Sequence, residues 1–226
     1  MEINADFSRR AAVHAAEAEW SPSPMPGVER RMLDRIGGEV ARATTIVRFA
    51  PGSAFSAHTH DGGEEFIVLE GVFQDEHGDF PAGSYIRNPP TSSHTPASAP
   101  GCTILVKLWQ MDPADRSHVR IDTSKIGAVP DPDRPGVSVT PLFHDAFEDV
   151  RIERWAPAAS VPLGDPGGAE IFVLEGGFEE EGESFGPRDW LRLPPGARSR
   201  ALAGPEGARV WIKTGHLVHA RAPDPA

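Results

Sequence analysis

The sequence of 226 residues contains a tandem repeat. A stretch at 46–71, IVRFAPGSAFSAHTHDGGEEFIVLEG, is matched at 152–176 by IERWAPAASVPLGDPGGAEIFVLEG, with the same alternation of apolar residues and the same VLEG ending. Equivalent positions lie about 105 to 109 residues apart, so each half is a complete small domain. We place the boundary near residue 118, in a polar and proline-rich connection, which gives an N-terminal domain of residues 1–118 and a C-terminal domain of residues 119–226.

Short apolar segments dominate both halves. Segments such as TTIVRF, EEFIVLEGVF and TILVKLW carry β-branched and aromatic residues in partial alternation, bounded by Gly, Pro or Asp. The 23 glycines and 23 prolines are scattered between these segments, as in short strands joined by turns. One stretch, AAVHAAEAEW at 11–20, predicts either a short helix or a polar lead-in. We therefore predict a mostly β protein with a pair of small antiparallel barrels.

Composition narrows the range of partners. The 33 acidic and 22 basic residues give a formal net charge of -11, which disfavours nucleic acid and anionic membrane surfaces as partners. The sequence lacks a signal-peptide segment and an apolar run that could span a bilayer, so we expect a cytoplasmic protein. Cys102 is the single cysteine, and a metal site would therefore use imidazoles and carboxylates.

The stretch HTHDGGEEFIVLEG combines side chains that bind metals. His58 and His60 are two residues apart, so on a strand both imidazoles project from the same face. The glycine turn that follows brings Glu64 or Glu65 close to the pair, and the proline turn of NPPTSSHTP delivers His94. Three imidazoles and one carboxylate suit zinc, Fe(II), manganese or nickel.

These residues resemble the cupin superfamily. The first cupin motif is matched in its spacing by Gly52, His58, His60, Glu64 and Gly71. The second is matched by Gly83, Pro89 and His94, while Thr91 and Ser98 replace the inner glycine and the asparagine of that motif. These two departures affect turn shape rather than metal ligation.

A narrower resemblance connects the chain to the ChrR-like cupins, the C-terminal domain type of zinc-dependent anti-sigma factors. It is carried by the PGV lead-in, the HxHxGGEEFxVLEG core, the GSYxRNPP turn and the GCxxxVKLW strand. The resemblance implies two tandem cupin barrels, of the double-stranded β-helix or jelly-roll type. It also implies a metal held by His58, His60, Glu64 and His94.

The repeat separates ligands from scaffold. In the second half, the places of the four proposed ligands are taken by Leu163, Asp165, Ala169 and Ser199, while Glu170 keeps the place of Glu65. Since all four ligand types are lost together and the second glutamate persists, Glu64 is the predicted ligand and Glu65 has a structural or charge-pairing role. We expect one divalent metal ion in the N-terminal barrel, with zinc favoured, and a degenerate C-terminal barrel without a metal site.

The remaining histidines lack partners at ligand spacing. We predict that they are surface or turn residues: His14, His77, His118, His144, His216 and His219.

Two functions stay open. In one, the chain is a metal-binding protein with a small-molecule or oxidative-stress role, and four protein ligands complete a tetrahedral zinc shell. In the other, it is a metal-dependent cupin dioxygenase acting on a small diketone or phenolic substrate, since four ligands leave two positions on an octahedral ion. Residues 1–25 are too short, and lack the cysteines, for the zinc domain of an anti-sigma factor, which argues against a sigma factor as partner. A small-molecule ligand and a homo-oligomer stay open.

Overall fold

A computed structural model describes residues 1–38 and 40–223. In this part of the chain the regular elements are β-strands, apart from two short 3-10 helices at Thr123–Lys125 and His216–His219. No helix among the described residues is long and apolar enough to cross a membrane. The predicted mostly β class is confirmed.

Twelve strands lie among the described residues before residue 110. They are β1 (Ala11–Val13), β2 (Ser21–Pro22), β3 (Val28–Gly37), β4 (Ala41–Phe49), β5 (Ser53–Ala54), β6 (His58–His60), β7 (Glu64–Asp75), β8 (Gly78–Pro81), β9 (Ser84–Asn88), β10 (Ser92–His94), β11 (Ala97–Ser98) and β12 (Cys102–Leu108). The strands that follow are β13 (Val119–Asp122), β14 (Val129–Pro130), β15 (Val137–His144), β16 (Asp149–Trp155), β17 (Ser160–Leu163), β18 (Ala169–Glu180), β19 (Glu183–Phe185), β20 (Trp190–Leu193) and β21 (Ser199–Thr214).

The chain folds into two compact units. The first barrel contains residues 1–5 and 19–125 together with the described residues after 220, and the second barrel contains residues 6–18 and 126–220. This division differs from the boundary near residue 118 placed from the sequence. The break falls after residue 125 because β13 pairs antiparallel with β9 and so belongs to the first barrel.

The two barrels have the same strand order. It is β13-β9-β7-β12-β4-β3-β2 in the first barrel and β1-β20-β18-β21-β16-β15-β14 in the second. The first two strands of each order also pair in the same register. Val119 of β13 lies opposite Arg87 of β9, and Ala11 of β1 lies opposite Arg192 of β20. We call β1 and β13, which begin the first and second sequence repeats, the lead strands. Each lead strand therefore completes the barrel that is formed mainly by the other repeat.

The helical alternative for residues 11–20 is wrong. Ala11–Val13 forms an edge strand that pairs antiparallel with Trp190–Arg192 of β20. Backbone pairing with an open sheet edge outweighs the helix preference of the alanines, because tertiary contacts override a weak local propensity.

The repeated VLEG ending has a structural cause. Gly71 and Gly176 have positive φ angles of 71° and 66°. Each lies next to a register shift of its strand against the neighbouring strand, and a Cβ atom at either position would come within 2.0 or 2.2 Å of a backbone carbonyl oxygen. Only glycine fits such a bulge, so this residue belongs to the barrel and persists in both copies.

Each barrel has an apolar core of its own. In the first barrel the core includes Val28, Phe49, Phe66, Phe73 and Ile104. In the second barrel it includes Trp155, Val173, Phe178, Phe185 and Val210. The alternating apolar residues of paired strands supply these inward-facing side chains.

Candidate metal centre

Two short strands position the histidines of the first barrel. β6 and β10 pair antiparallel, with His58 opposite His94 and His60 opposite Ser92. The next strand, β7, begins at Glu64 directly after the glycine turn. The four proposed ligands therefore come from three strand ends that meet at one place in the barrel.

The donor atoms converge closely. The Nε2 atoms of His60 and His94 are 2.9 Å apart. The Oε2 atom of Glu64 lies 3.5 Å from Nε2 of His60 and 3.4 Å from Nε2 of His94. The His58 ring centroid is 4.7 Å from that of His60 and 5.4 Å from that of His94. Ligand atoms of the three histidines all lie within 4.8 Å of one another.

These separations fit a shared metal ion. Two donors that each lie about 2.1 Å from an ion are about 3.0 to 3.4 Å apart when their angle at the ion is between 90° and 109°. The three separations among His60, Glu64 and His94 match this range to within about 0.1 Å. The donor set, imidazole with carboxylate, is also that of zinc, iron and nickel sites in proteins.

Hydrogen bonds at the second ring nitrogen orient two of the imidazoles. Nδ1 of His94 lies 3.2 Å from Oδ2 of Asp75, and Nδ1 of His58 lies 2.9 Å from the carbonyl oxygen of Ser56. A histidine that donates its Nδ1 proton to such an acceptor presents an unprotonated Nε2 to a metal. Both contacts therefore assign Nε2 as the ligating atom, a choice that the sequence alone does not reveal.

Two supporting residues were missed by the sequence reasoning. One is Asp75, whose side chain is 1% exposed. The other is Asn88, which lies opposite Glu64 and donates from Nδ2 to its Oε2 at 3.2 Å. A signal for Asn88 was present in the repeat, because RNPP becomes RLPP and Leu193 lies opposite Ala169 in the second barrel.

The environment shifts the pKa values of the site in different directions. Burial lowers the pKa of His60, which keeps its imidazole neutral and able to bind a metal near neutral pH. Burial has the same effect on His94, but the hydrogen bond that His94 donates to Asp75 and the charge of Glu64 outweigh it and raise the pKa of His94. Burial would raise the pKa of Asp75, yet hydrogen bonds from His94 and from the backbone N–H of His77 lower it, so Asp75 is ionised.

Glu65 is used differently from its neighbour. Its Oε1 accepts a hydrogen bond of 2.5 Å from the hydroxyl of Tyr85 and lies 4.0 Å from the Arg87 guanidinium. Its counterpart Glu170 accepts a hydrogen bond from the indole of Trp190. The second glutamate therefore pairs with the aromatic residue at the same position of both barrels, which is a scaffold role.

Strand register fixes which residues of the second barrel correspond to the proposed ligands. Leu163 lies opposite Ser199, as His58 lies opposite His94. Ala169 and Glu170 lie opposite Thr214 and Lys213, as Glu64 and Glu65 lie opposite Leu108 and Lys107. This register aligns Leu163 with His58, although the stretch at 152–176 is one residue shorter than the stretch at 46–71. Among the described residues, the His58, His60 and His94 group is the single cluster of metal-binding type.

The surface assignment of the other histidines holds for four of the six. His77, His118, His144 and His219 are exposed. His216 is buried, and its Nε2 lies 2.9 Å from Oε1 of Glu170. His14 is partly buried and contacts Glu183 and Asp189 at 2.8 and 3.0 Å.

Cys102 is buried in β12, and burial raises the pKa of its thiol to about 11. The thiol is therefore protonated at neutral pH and has low reactivity.

A cavity of about 160 Å³ adjoins the histidines inside the first barrel. His58, His60 and Glu64 contribute to its wall, and most of the other lining residues are apolar. A small molecule in this cavity would lie directly beside the proposed ion.

Comparisons with known proteins agree with the fold. The sequence model of the ChrR cupin-like domain matches residues 8–112 and again residues 116–218. No protein in the curated set that was compared with this sequence matches it.

Three solved structures illustrate the similarity. A putative dioxygenase from Nostoc punctiforme has a TM-score of 0.78 at 13% identity, over 97% of this chain and 88% of that chain. YlbA from Escherichia coli has a TM-score of 0.71 at 13% identity, over 92% of both chains. A bacterial pirin from E. coli, in complex with nickel(II), has a TM-score of 0.64 at 15% identity, over 91% of this chain and 98% of that chain. At these identities the likeness shows the fold alone.

Proposed function

The chain belongs to the family of ChrR cupin-like domains, present as two tandem copies, and on this basis we propose that its first barrel holds one divalent metal ion beside a small-molecule cavity. The ligands are His58, His60, Glu64 and His94. The observation that carries the proposal is the triangle of donor atoms formed by His60, Glu64 and His94, with sides of 2.9, 3.4 and 3.5 Å. Zinc is favoured, and Fe(II), manganese and nickel suit the same donors.

The surrounding residues preorganise the site. Asp75 holds the His94 ring, and the Ser56 carbonyl holds the His58 ring, so that both present Nε2. Asn88 fixes one oxygen of Glu64. Such partners raise the basicity of histidine ligands and reduce the entropy lost on metal binding. The bound ion would supply a Lewis acid at the wall of the cavity.

The second barrel has a scaffold function in this proposal. Leu163, Ala169 and Ser199 cannot replace the imidazoles and carboxylate of the first barrel. Asp165 at the place of His60 would leave a single carboxylate. The ratio of one metal ion per chain follows.

A metal-dependent dioxygenase is the second candidate function. It is favoured by the cavity of about 160 Å³ that reaches three of the proposed ligands. A structural zinc site does not require a cavity beside the ion, whereas substrate binding does. The similar structure described as a putative dioxygenase is in line with this candidate. Its substrates would be small diketones or phenols.

Cobalt substitution tests the coordination. We expect Co(II)-loaded protein to show ligand-field absorption bands that disappear in His94→Ala and persist in His77→Ala, since His77 is an exposed histidine. Equal bands in both variants would remove His94 from the site. Oxygen uptake by the Fe(II)-loaded protein with a diketone or a phenol would support the dioxygenase. A closed four-coordinate zinc site without turnover would instead support a metal-binding protein that is not a dioxygenase.

A further inference from the structure

The cavity of the first barrel contains one cationic side chain. Its apolar wall includes Val47, Phe49, Phe55, Phe73, Ile104 and Val106. Arg30, which lies opposite Val47 on the neighbouring strand, also lines this cavity. An apolar chamber with one guanidinium and a metal site in its walls has the chemistry of a pocket for a small organic anion.

The Arg30 side chain carries an unsatisfied hydrogen-bond donor. Its Nε atom is buried without a hydrogen-bond partner, and no ion pair joins Arg30 to a carboxylate among the described residues. Arg30 as a whole is partly buried, but buried polar atoms in proteins are normally satisfied, so its Nε–H would gain from an acceptor in the cavity. A carboxylate supplied by a ligand would satisfy this group, because carboxylates match the planar fork of arginine.

The second barrel differs at this place. Counting from the shared PGV segment and from strand register, Val139 corresponds to Arg30 and Glu153 corresponds to Val47. Glu153 is fully buried and is paired there by Arg134 and Arg151. The second barrel thus satisfies its buried charge internally. The barrel that keeps the proposed metal ligands is the one whose arginine has, among the described residues, an unsatisfied Nε atom.

We propose that the first barrel binds a small, mostly apolar carboxylic acid, with its carboxylate on Arg30 and its hydrocarbon body along the aromatic wall. This inference rests on the proposed metal function, because it names the ligand class of that same cavity. The volume of about 160 Å³ is close to the roughly 150 Å³ of an apolar cavity that binds benzene. It therefore suits short-chain or single-ring acids.

Calorimetric titration of the zinc-loaded protein with butanoate, hexanoate and hexanamide tests the inference. Binding of the acids should strengthen about fourfold for each added methylene until the cavity is full. Arg30→Leu should weaken hexanoate binding by about tenfold or more and leave hexanamide binding unchanged. Arg31→Leu is the matched control, because it removes the same charge from the next residue, whose guanidinium packs over Trp20 at 4.5 Å. Arg30→Lys, which keeps the charge, should retain part of the affinity even if Arg30→Leu folds poorly.

The outcomes separate this inference from the metal proposal. Hexanoate binding that is unchanged in Arg30→Leu, or absent from zinc-loaded wild type, overturns the acid site and leaves the metal site standing. Binding that survives Arg30→Leu but disappears on zinc removal places the carboxylate on the metal and overturns the role of Arg30. Absence of zinc from the wild type is a failure of the metal proposal instead. In that case the acid site is tested on the metal-free protein. Hexanoate binding that weakens in Arg30→Leu supports the site, and hexanoate binding that is absent or unchanged overturns it.

Discussion

Glu64 and Glu65 are adjacent in the chain, yet their carboxylates have different partners. Oε2 of Glu64 lies 3.4 Å from Nε2 of His94, whereas Oε1 of Glu65 accepts a hydrogen bond from the hydroxyl of Tyr85. Successive residues of a strand point to opposite faces. One glutamate therefore faces the histidine cluster, and the other faces the packing that both barrels share.

Alanine substitutions should separate these two roles. Glu64→Ala should weaken zinc binding by more than about tenfold, because a direct ligand is lost, and should lower the unfolding free energy of the metal-free protein by only about 1 kcal/mol, because one hydrogen bond from Asn88 is lost. Glu65→Ala should lower the unfolding free energy by about 3 kcal/mol or more, because it leaves buried hydrogen-bonding and charged groups without their partner. Chemical denaturation of the metal-free variants and zinc titration measure both quantities. If Glu65→Ala instead lost zinc affinity while Glu64→Ala kept it, the assignment of the ligand would be reversed.

Asp75 should tune the metal affinity through His94. Asp75→Asn removes the negative charge behind the ring, and affinity for zinc should fall about 10- to 100-fold, as for other partners that orient histidine ligands. Competition with a chromogenic chelator gives the affinity. Asp79→Asn on β8 is the control, since Asp79 is exposed and accepts a surface hydrogen bond from Gln74. Equal zinc affinities for the two variants would show that Asp75 does not position His94 for metal binding.

The lead strand β1 should stabilise the second barrel. Deleting residues 1–13 exposes the edge of β20, with which Ala11–Val13 pair. Hydrogen exchange at the backbone amides of β20 should accelerate by about tenfold or more, since each lost hydrogen bond contributes about 1 kcal/mol. Unaltered protection of β20 after the deletion would contradict the strand assignment.

The stabilising contacts of the N-terminal segment should depend on pH through His14. Hydrogen bonds to Asp189 and Glu183 raise the pKa of His14 above its ordinary value of 6.5. A raised folded-state pKa contributes stability that is fully present below pH 6.5 and is lost as the pH rises through the folded value. The difference in unfolding free energy between wild type and His14→Gln should therefore be large at pH 6 and small at pH 9. A difference that is constant across this range would exclude a charged His14 from the interaction.

The sequence revealed the barrels and the proposed ligands because the repeat supplied an internal comparison. The second repeat loses the histidines but keeps VLEG, and this difference separated the proposed ligands from the residues that form the barrel. VLEG is kept because a Cβ atom at Gly71 would collide with a backbone carbonyl oxygen. Asp75 was not found, because its role depends on the approach of two distant strands. Its counterpart Glu180 is also acidic and hydrogen-bonds to Ser199, so the repeat gave no contrast at this position.

The origin of the lead strands was also not predictable from the sequence. Ala11–Val13 and Val119–Asp122 are short, and each forms few contacts within its own repeat that a pattern could reveal. Both barrels offer the same open edge, at β9 and at β20. Which edge each segment joins depends on the path of the chain between the repeats, which hydrophobic periodicity does not encode.

Metal content per chain tests the central claim most directly. Protein purified without added metal, and the same protein after removal and reloading of zinc, can be analysed by elemental mass spectrometry against a measured protein concentration. We predict one metal ion per chain for wild type and for His77→Ala, and none above background for the double variant His58→Ala, His94→Ala. Two ions per chain, or one ion retained by the double variant, would contradict a single site in the first barrel.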